Sequence, residues 1–344
     1  MVDLFSGCGG LTQGFVSTGR YTPVAAVEWD LHAAATYAQN FGDHIYVGDI
    51  ADWVRGSIPA ADVVVGGPPC QGFSALGKQD PNDPRNDMWL HYVETLERVR
   101  PAFFLLENVP QFLNSQQFQD LLSETATGGR LGSYTLEAFV LNAADYGAPQ
   151  ARKRAVVIGR RQEAREVGIP VPQPRISLRE ALPAWLSEGV ECIDLPQSTV
   201  RFRDKTLPGP FKLPQLHVTR RPSDLSVRRY RAIPPGGNRT HLPDELLAPC
   251  WRRHRSGSGD VMGRLWWDKP SVTIRTEFYK PEKGRYLHPT EHRPITHAEA
   301  ALIQGFPDDF EWCGTKVSIA RQIGNAVPPP LARAIAEHLA ARME

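Results

Sequence analysis

Nothing in the chain approaches the roughly 20 uninterrupted apolar residues that a membrane span needs. Met1 runs straight into Val2-Asp3-Leu4-Phe5, with neither the basic stretch nor the hydrophobic core of a signal segment, so a cytoplasmic protein is expected. Cysteine is scarce: Cys8, Cys70, Cys192, Cys250 and Cys313 are widely spaced and odd in number, without a Cys-x-x-Cys pair or a histidine at metal-ligand spacing. That pattern argues against a disulfide scaffold, structural zinc and zinc-dependent deamination, and it leaves room for one reactive thiol. Internal repeats are missing too. With 344 residues, 41% hydrophobic and 22% charged, the composition excludes a disordered tail, a collagen and a coiled coil, and the length suggests two domains.

Net charge is almost nil at +1, yet it is unevenly distributed. Residues 201–285 hold 19 Lys and Arg against 8 Asp and Glu, while the remainder holds 20 against 30. Trp251, Trp266, Trp267, Tyr230, Phe278 and Tyr279 are interleaved with these cations, as a polyanion-binding surface requires. A solvated basic face on a loop-rich insertion would give the same charge count.

Short apolar runs at Val2 to Phe5, Val24 to Glu28, Ile45 to Val47, Asp62 to Val65, Phe103 to Leu106, Leu136 to Leu141 and Ala155 to Ile158 predict strands. Between them, Trp89, Val93, Leu96 and Val99 recur at helical spacing in 86–99 until Arg100-Pro101 ends the run. The alternation predicts an α/β fold with a doubly wound, mostly parallel sheet. From about 168 to 285 prolines and glycines multiply, as in Ile233-Pro234-Pro235-Gly236-Gly237, and periodicity weakens. Helices return at the Thr296-His297-Ala298-Glu299 capping box and after Pro328-Pro329-Pro330, where Leu331, Ile335 and Leu339 share a face. The expected division is 1–165 for the doubly wound domain, 166–290 for a second, irregular domain, and 291–344 returning to the first.

Ligands of such sheets bind at the carboxyl ends of the strands. There the sequence places Ser6-Gly7-Cys8-Gly9-Gly10, then Glu28-Trp29, Gly48-Asp49-Ile50, Gly66-Gly67-Pro68-Pro69-Cys70 and Glu107-Asn108-Val109. The glycine turn admits close backbone approach, and Glu28, 18 residues past Gly10, stands where a carboxylate takes ribose hydroxyls. Trp29 offers a stacking surface and Asp49 an acceptor for an exocyclic amine; a core tryptophan and a turn-forming aspartate are the bland alternatives. Cys70 follows two prolines and precedes Gly72, a stiff turn that favours an exposed thiolate over an ordinary buried cysteine. Glu107 ends an apolar run, where desolvation would raise its pKa for proton donation; ion pairing is the alternative. The polar stretch 74–87 suits a lid or a plain surface loop.

Asp3-Leu4-Phe5-Ser6-Gly7-Cys8-Gly9-Gly10, Gly67-Pro68-Pro69-Cys70-Gln71-Gly72-Phe73-Ser74, Glu107-Asn108-Val109, Gln150-Ala151-Arg152-Lys153-Arg154, Gln304-Gly305-Phe306-Pro307 and Gln322-Ile323-Gly324-Asn325-Ala326-Val327-Pro328 together resemble, in order, the motifs of the DNA (cytosine-5)-methyltransferase family. The resemblance implies the Rossmann-like fold of S-adenosylmethionine-dependent methyltransferases. It also implies a cofactor pocket of Phe5, Gly7, Gly9, Glu28, Trp29, Asp49, Ile50, Pro68, Met88, Asn325 and Val327, with S-adenosylhomocysteine as product and no metal. The implied mechanism adds the Cys70 thiolate to C6 of a flipped-out cytosine while Glu107 engages N3 and Arg152 and Arg154 hold the base, acidic neighbours or the backbone. The basic segment becomes a target-recognition region on double-stranded DNA. Gln71, Ser74, Arg228, Arg229 and Arg231 are its expected contacts.

A monomeric, prokaryotic, nucleoid-associated enzyme is expected, either an orphan or one paired with a restriction endonuclease of the same site. Only Met1 and Val2 precede Asp3, fewer residues than is usual in the family, which implies a short first strand or a start upstream. Two other readings share the residues: a tRNA cytosine methyltransferase and a DNA-binding regulator without catalysis. Gln71-Gly72-Phe73-Ser74 speaks against the first, and the intact Cys70, Glu107 and arginines against the second.

Overall fold

A parallel strand buried on both faces must be apolar almost throughout, and the strands of this chain are. The computed structural model describes residues 1–69, 88–162, 165–187, 190, 194–253 and 258–343. The chain forms two units, one of residues 1–147, 153–174 and 326–344, the other of 148–152 and 175–325.

In the first unit β1 (Val2–Leu4), β2 (Ala25–Glu28), β3 (Ile45–Val47), β4 (Val63–Gly66) and β5 (Phe103–Asn108) run parallel, while β6 (Tyr134–Asn142) and β8 (Lys153–Arg161) complete the sheet antiparallel. The spatial order is β3-β2-β1-β4-β5-β8-β6. The expected strands all form. Helices α1 (Gly10–Val16), α2 (Leu31–Phe41), α3 (Ile50–Trp53), α4 (Met88–Val99) and α5 (Gln116–Thr125) lie along the connections. Val2, Leu4, Val64, Phe104, Leu106 and Val157 pack with Tyr92 and Leu96 of α4 and Leu121 of α5 into one core. The order reverses between β1 and β4, so the crevice at their carboxyl ends is the topological switch point.

The last helix of the chain, α11 (Pro329–Met343), belongs to this unit and buries Leu331, Ile335 and Leu339, the face expected from sequence. It lies against α1, and a Cβ on Gly14 would overlap the Ala332 side chain and the Pro329 carbonyl. Glycine here is a packing requirement.

The second unit contains β7 (Gln150–Ala151) paired with β11 (Ser271–Val272), a hairpin of β9 (Thr199–Phe202) and β10 (Lys205–Pro208), and helices α6 (Leu178–Ala181), α7 (Asp224–Ala232), α8 (Pro249–Arg253), α9 (His297–Gln304) and α10 (Lys316–Asn325). The boundary expected at 291 is corrected here: the chain returns to the first unit only at 326, and α9 and α10 stay in the second. The reason is burial. Every residue of α9 is buried, its capping box forms as expected, and Glu299 in its first turn accepts from both terminal nitrogens of Arg293, at 2.7 and 2.9 Å. Arg293 and the neighbouring His288 pull 288–299 into this unit's interior.

His288 is buried beside that pair, and its Nδ1 accepts the backbone N–H of Glu291 at 2.9 Å, which requires an unprotonated ring nitrogen. Burial pushes its pKa down to about 4, against the attraction of Glu299. The folded value lies below the ordinary 6.5, so on acidification the unfolded chain takes up the proton first and stability falls from about pH 6.5 toward 4. Denaturant midpoints measured across that range will show this decline, and His288→Asn, which keeps an acceptor and removes one titration, will make it shallower between pH 6.5 and 4.5; the buried His297, also pushed down to about 4, supplies part of the remainder. Gly14→Ala will force α1 from α11 and cost about 1–3 kcal/mol in urea unfolding.

Candidate functional site

Chemistry in the first unit collects at the switch point. Leaving β1, the chain turns through Phe5 (φ 57°), a left-handed conformation rare outside glycine, and then Gly7 (φ 56°). The Gly7 N–H donates to Glu28 Oε2 at 2.8 Å and the Asp30 N–H to Glu28 Oε1 at 2.7 Å, so the end of β2 is pinned to the turn after β1. Burial raises the Glu28 pKa against these two N–H donors. Apart from its chain neighbours, no atom of the described residues lies within 4 Å of a Cβ position on Gly7. Gly9 also has a packing reason to be glycine, since a Cβ there would meet the Phe41 and Tyr37 rings.

Trp29 is 77% exposed, which removes the core alternative and presents an indole face beside Glu28. Asp49 does form a cap, its Oδ1 accepting from the Ala51 N–H at 2.9 Å at the start of α3, with Ile50 buried behind it. Val327 is buried in the same unit with its carbonyl against Gly10, and Met88 opens α4, partly buried on the core. Asn325, exposed at the end of α10, falls in the second unit.

Two groups at this turn carried no assigned role in the sequence reading. Asp3 is fully buried, its Oδ2 accepting from the Thr12 hydroxyl at 2.6 Å, and burial lifts its pKa to about 7 despite that bond. Its Oδ1 and the buried Ser6 hydroxyl have no hydrogen-bond partner among the described residues. The only sequence signal was an acidic residue inside an otherwise apolar strand. The turn therefore offers a buried carboxylate for hydroxyls, an exposed aromatic face, a glycine uncrowded by the described residues and unsatisfied polar atoms, a donor and acceptor set that fits a nucleoside.

On the other side of β4, antiparallel pairing assembles the second half of the site. Glu107 faces Val156 in the β5/β8 register, which makes Arg154 its diagonal neighbour on the same face of the sheet. Arg154 Nε lies 2.8 Å from Glu107 Oε1 with both side chains largely buried. Glu107 is thus ion-paired, the alternative to an isolated, desolvated acid. A Cβ on Gly67 would come within 3.0 Å of Glu107 Oε2, so glycine makes room for the carboxyl. Asn108, also unassigned before, donates from Nδ2 to the Pro68 carbonyl at 2.9 Å and accepts the Val109 N–H at 2.8 Å. It ties the end of β5 to the buried Pro68, two residues before Cys70. Cys70, Gln71, Ser74 and the stretch to 87 lie outside the described residues.

The expected arginines divide among their alternatives. Arg152, expected with Arg154 to hold the base, acidic neighbours or the backbone, takes the backbone: it is buried in the second unit with Nη1 on the Ile274 carbonyl at 2.9 Å and Nη2 on the Gly324 carbonyl at 3.0 Å. Its guanidinium supports backbone. Arg229 donates to the Leu246 carbonyl at 2.8 Å and lies over Trp251, whereas Arg228 and Arg231 on the same helix are exposed. A period of 3.6 turns Arg229 inward between them.

Among the described residues no group of three or more His, Cys, Asp or Glu could hold a metal ion, and no helix is long and apolar enough to cross a membrane. Residues 1–341 match the family described as C-5 cytosine-specific DNA methylase. The Type II methyltransferase M1.HphI of Haemophilus parahaemolyticus is 34% identical, over 98% of this chain and 85% of its own length. The Type II methyltransferase M.DdeI of Desulfomicrobium norvegicum is 31% identical, over 98% and 88%. Among solved structures, an Escherichia coli prophage-encoded protein described as a DNA modification methyltransferase superposes with a TM-score of 0.72 at 25% identity, covering 99% of this chain and 98% of that one. With its motifs in order along that match and the fold in agreement, the chain belongs to the C-5 cytosine-specific DNA methylase family.

Proposed function

We infer that the protein methylates C5 of cytosine within one short sequence of double-stranded DNA, with S-adenosylmethionine as donor, as the modification half of a restriction-modification system. The observation that carries the reading is the Glu107–Arg154 pair at the end of β5, tied through Asn108 to the proline turn that leads into Cys70. The Type II methyltransferase relatives support a sequence-specific DNA target and an endonuclease of the same site.

Cytosine is too electron-poor to attack a methyl donor directly. The Cys70 thiolate adds to C6 while Glu107, in its protonated form, delivers a hydrogen bond or proton at N3, and the electron density so released makes C5 nucleophilic. Arg154 orients the Glu107 carboxyl, and the Asn108–Pro68 bond holds the end of β5 to a residue two positions before Cys70 in the sequence. Transfer of the methyl group releases S-adenosylhomocysteine; loss of the C5 proton to solvent, departure of the Cys70 sulfur and return of the N3 proton to Glu107 then restore the ring, the thiolate and the acid. Bound S-adenosylmethionine supplies an electrophilic methyl group on a sulfonium. Glu28 would take its ribose hydroxyls, Trp29 its adenine face, and the turn of Phe5 and Gly7 its close backbone contacts. A base inside a duplex exposes neither ring face, so the reaction requires a flipped nucleotide. Exposed Arg228 and Arg231 are the proposed phosphate or base contacts of the second unit.

Base-resolution mapping of 5-methylcytosine after incubation with unmethylated bacterial DNA and S-adenosylmethionine will show methylation confined to one short motif. Methylation of tRNA alone, or of neither nucleic acid, would overturn the reading. Cys70→Ser will abolish transfer and retain DNA binding, and Glu107→Gln will slow transfer by about 10²–10⁴-fold. Trp29→Ala will weaken S-adenosylmethionine binding measured by calorimetry, by about 1–3 kcal/mol if the indole stacks on adenine.

A further inference from the structure

The basic segment contains more cations than its surface displays. Arg264 and Arg285 are buried and donate to backbone carbonyls, Arg220 pairs with Glu282, and Arg229 faces inward. Counting charge along the sequence therefore does not locate a polyanion-binding face; the cations left on the surface do.

One group of exposed cations sits on the β9–β10 hairpin. In its register Arg201 faces Thr206, Thr199 faces Pro208, Val200 faces Leu207 and Phe202 faces Lys205. Directly opposed residues share a face. Arg201, Thr199 and Thr206 thus form one side, all three exposed, while Val200, Phe202 and the buried Leu207 turn the other side inward. Lys205 lies opposite Phe202 on the other side but is exposed at the tip, next to the exposed Asp204, and neither Arg201 nor Lys205 makes an ion pair among the described residues. The outer side is a cation flanked by two hydroxyls, a donor set for phosphate oxygens.

The base of the hairpin is firmly held. The Gly209 N–H donates to the Ser198 carbonyl at 2.9 Å and the Gly314 N–H to the Pro208 carbonyl at 2.7 Å. Just beyond, Phe211 and Trp312 exchange backbone hydrogen bonds of 2.8 and 2.9 Å, both residues fully buried. A ribbon fixed at its root and charged at its outer side and tip loses little entropy on meeting a partner. Two-stranded ribbons also fit the dimensions of a DNA groove.

We propose that the β9–β10 hairpin is a DNA-contacting element of this protein, its Thr199/Arg201/Thr206 side and Lys205 gripping the sugar–phosphate backbone of the duplex. This rests on the reading of double-stranded DNA as substrate. Phosphate contacts carry no sequence information, so the hairpin contributes affinity equally on target and non-target DNA.

Binding of a fluorescent duplex to the full chain, titrated from 50 to 300 mM salt, tests this directly. In Arg201→Gln/Lys205→Gln the slope of log K against log salt will fall by about two, roughly 0.9 for each lost phosphate contact. Affinity will drop at least about tenfold at 0.1 M salt on target and random duplexes alike. The charge-keeping pair Arg201→Lys/Lys205→Arg will restore the slope, and thermal melting and S-adenosylmethionine binding will match the parent in both variants. A wild-type slope in the glutamine variant, with wild-type affinity, would overturn the assignment of the hairpin. Failure of the parent itself to bind duplex DNA would instead overturn the substrate reading on which the assignment rests.

Discussion

The constraint on which the site depends is that a parallel sheet buried on both faces tolerates almost no polar side chain along its strands. The chain obeys it by carrying its reactive groups at or just past the carboxyl ends of the strands, at the turn after β1, at Glu28 and Trp29, at Pro68 and at Glu107. Asp3 is the exception, a carboxyl in the middle of a strand whose pKa burial lifts to about 7. Placing β1 beside β4 then brings the first and fourth turns to either side of one crevice. The antiparallel β8 adds what a wholly parallel sheet could not, an arginine arriving from the opposite direction to meet Glu107.

Arginine has two distinct uses in this chain. Some guanidiniums replace secondary structure: where 230–291 is poor in helix and strand, Arg264 and Arg285 collect the carbonyls that loops leave unsatisfied. A planar group with five donors suits that task better than lysine. Others, such as Arg201, Arg228 and Arg231, stay at the surface. The two classes are indistinguishable by residue type or local composition.

That distinction marks what was legible beforehand. Strands read clearly because each is a short apolar run bounded by turn residues, and the capping box at Thr296 was readable because its partners lie three residues apart. Glu28 and Trp29 were legible by their distance from the glycine turn. The inward direction of Arg152 was not, since its partners, the carbonyls of Ile274 and Gly324, are over a hundred residues away. The same holds for 291–325, whose membership of the second unit depends on the burial of α9. Gly9 and Gly67 look alike in sequence, yet one accommodates Phe41 and the other a carboxyl.

Arg264 has a consequence that reaches beyond packing. It is 2% exposed and bonded only to carbonyl oxygens, with no ion pair among the described residues. Carbonyl dipoles solvate a positive charge without cancelling it, so the monopole survives at distance. A cation that no ligand can touch still adds to the long-range potential of its unit, and in that role it governs how often an approaching polyanion is drawn in rather than how firmly it is held.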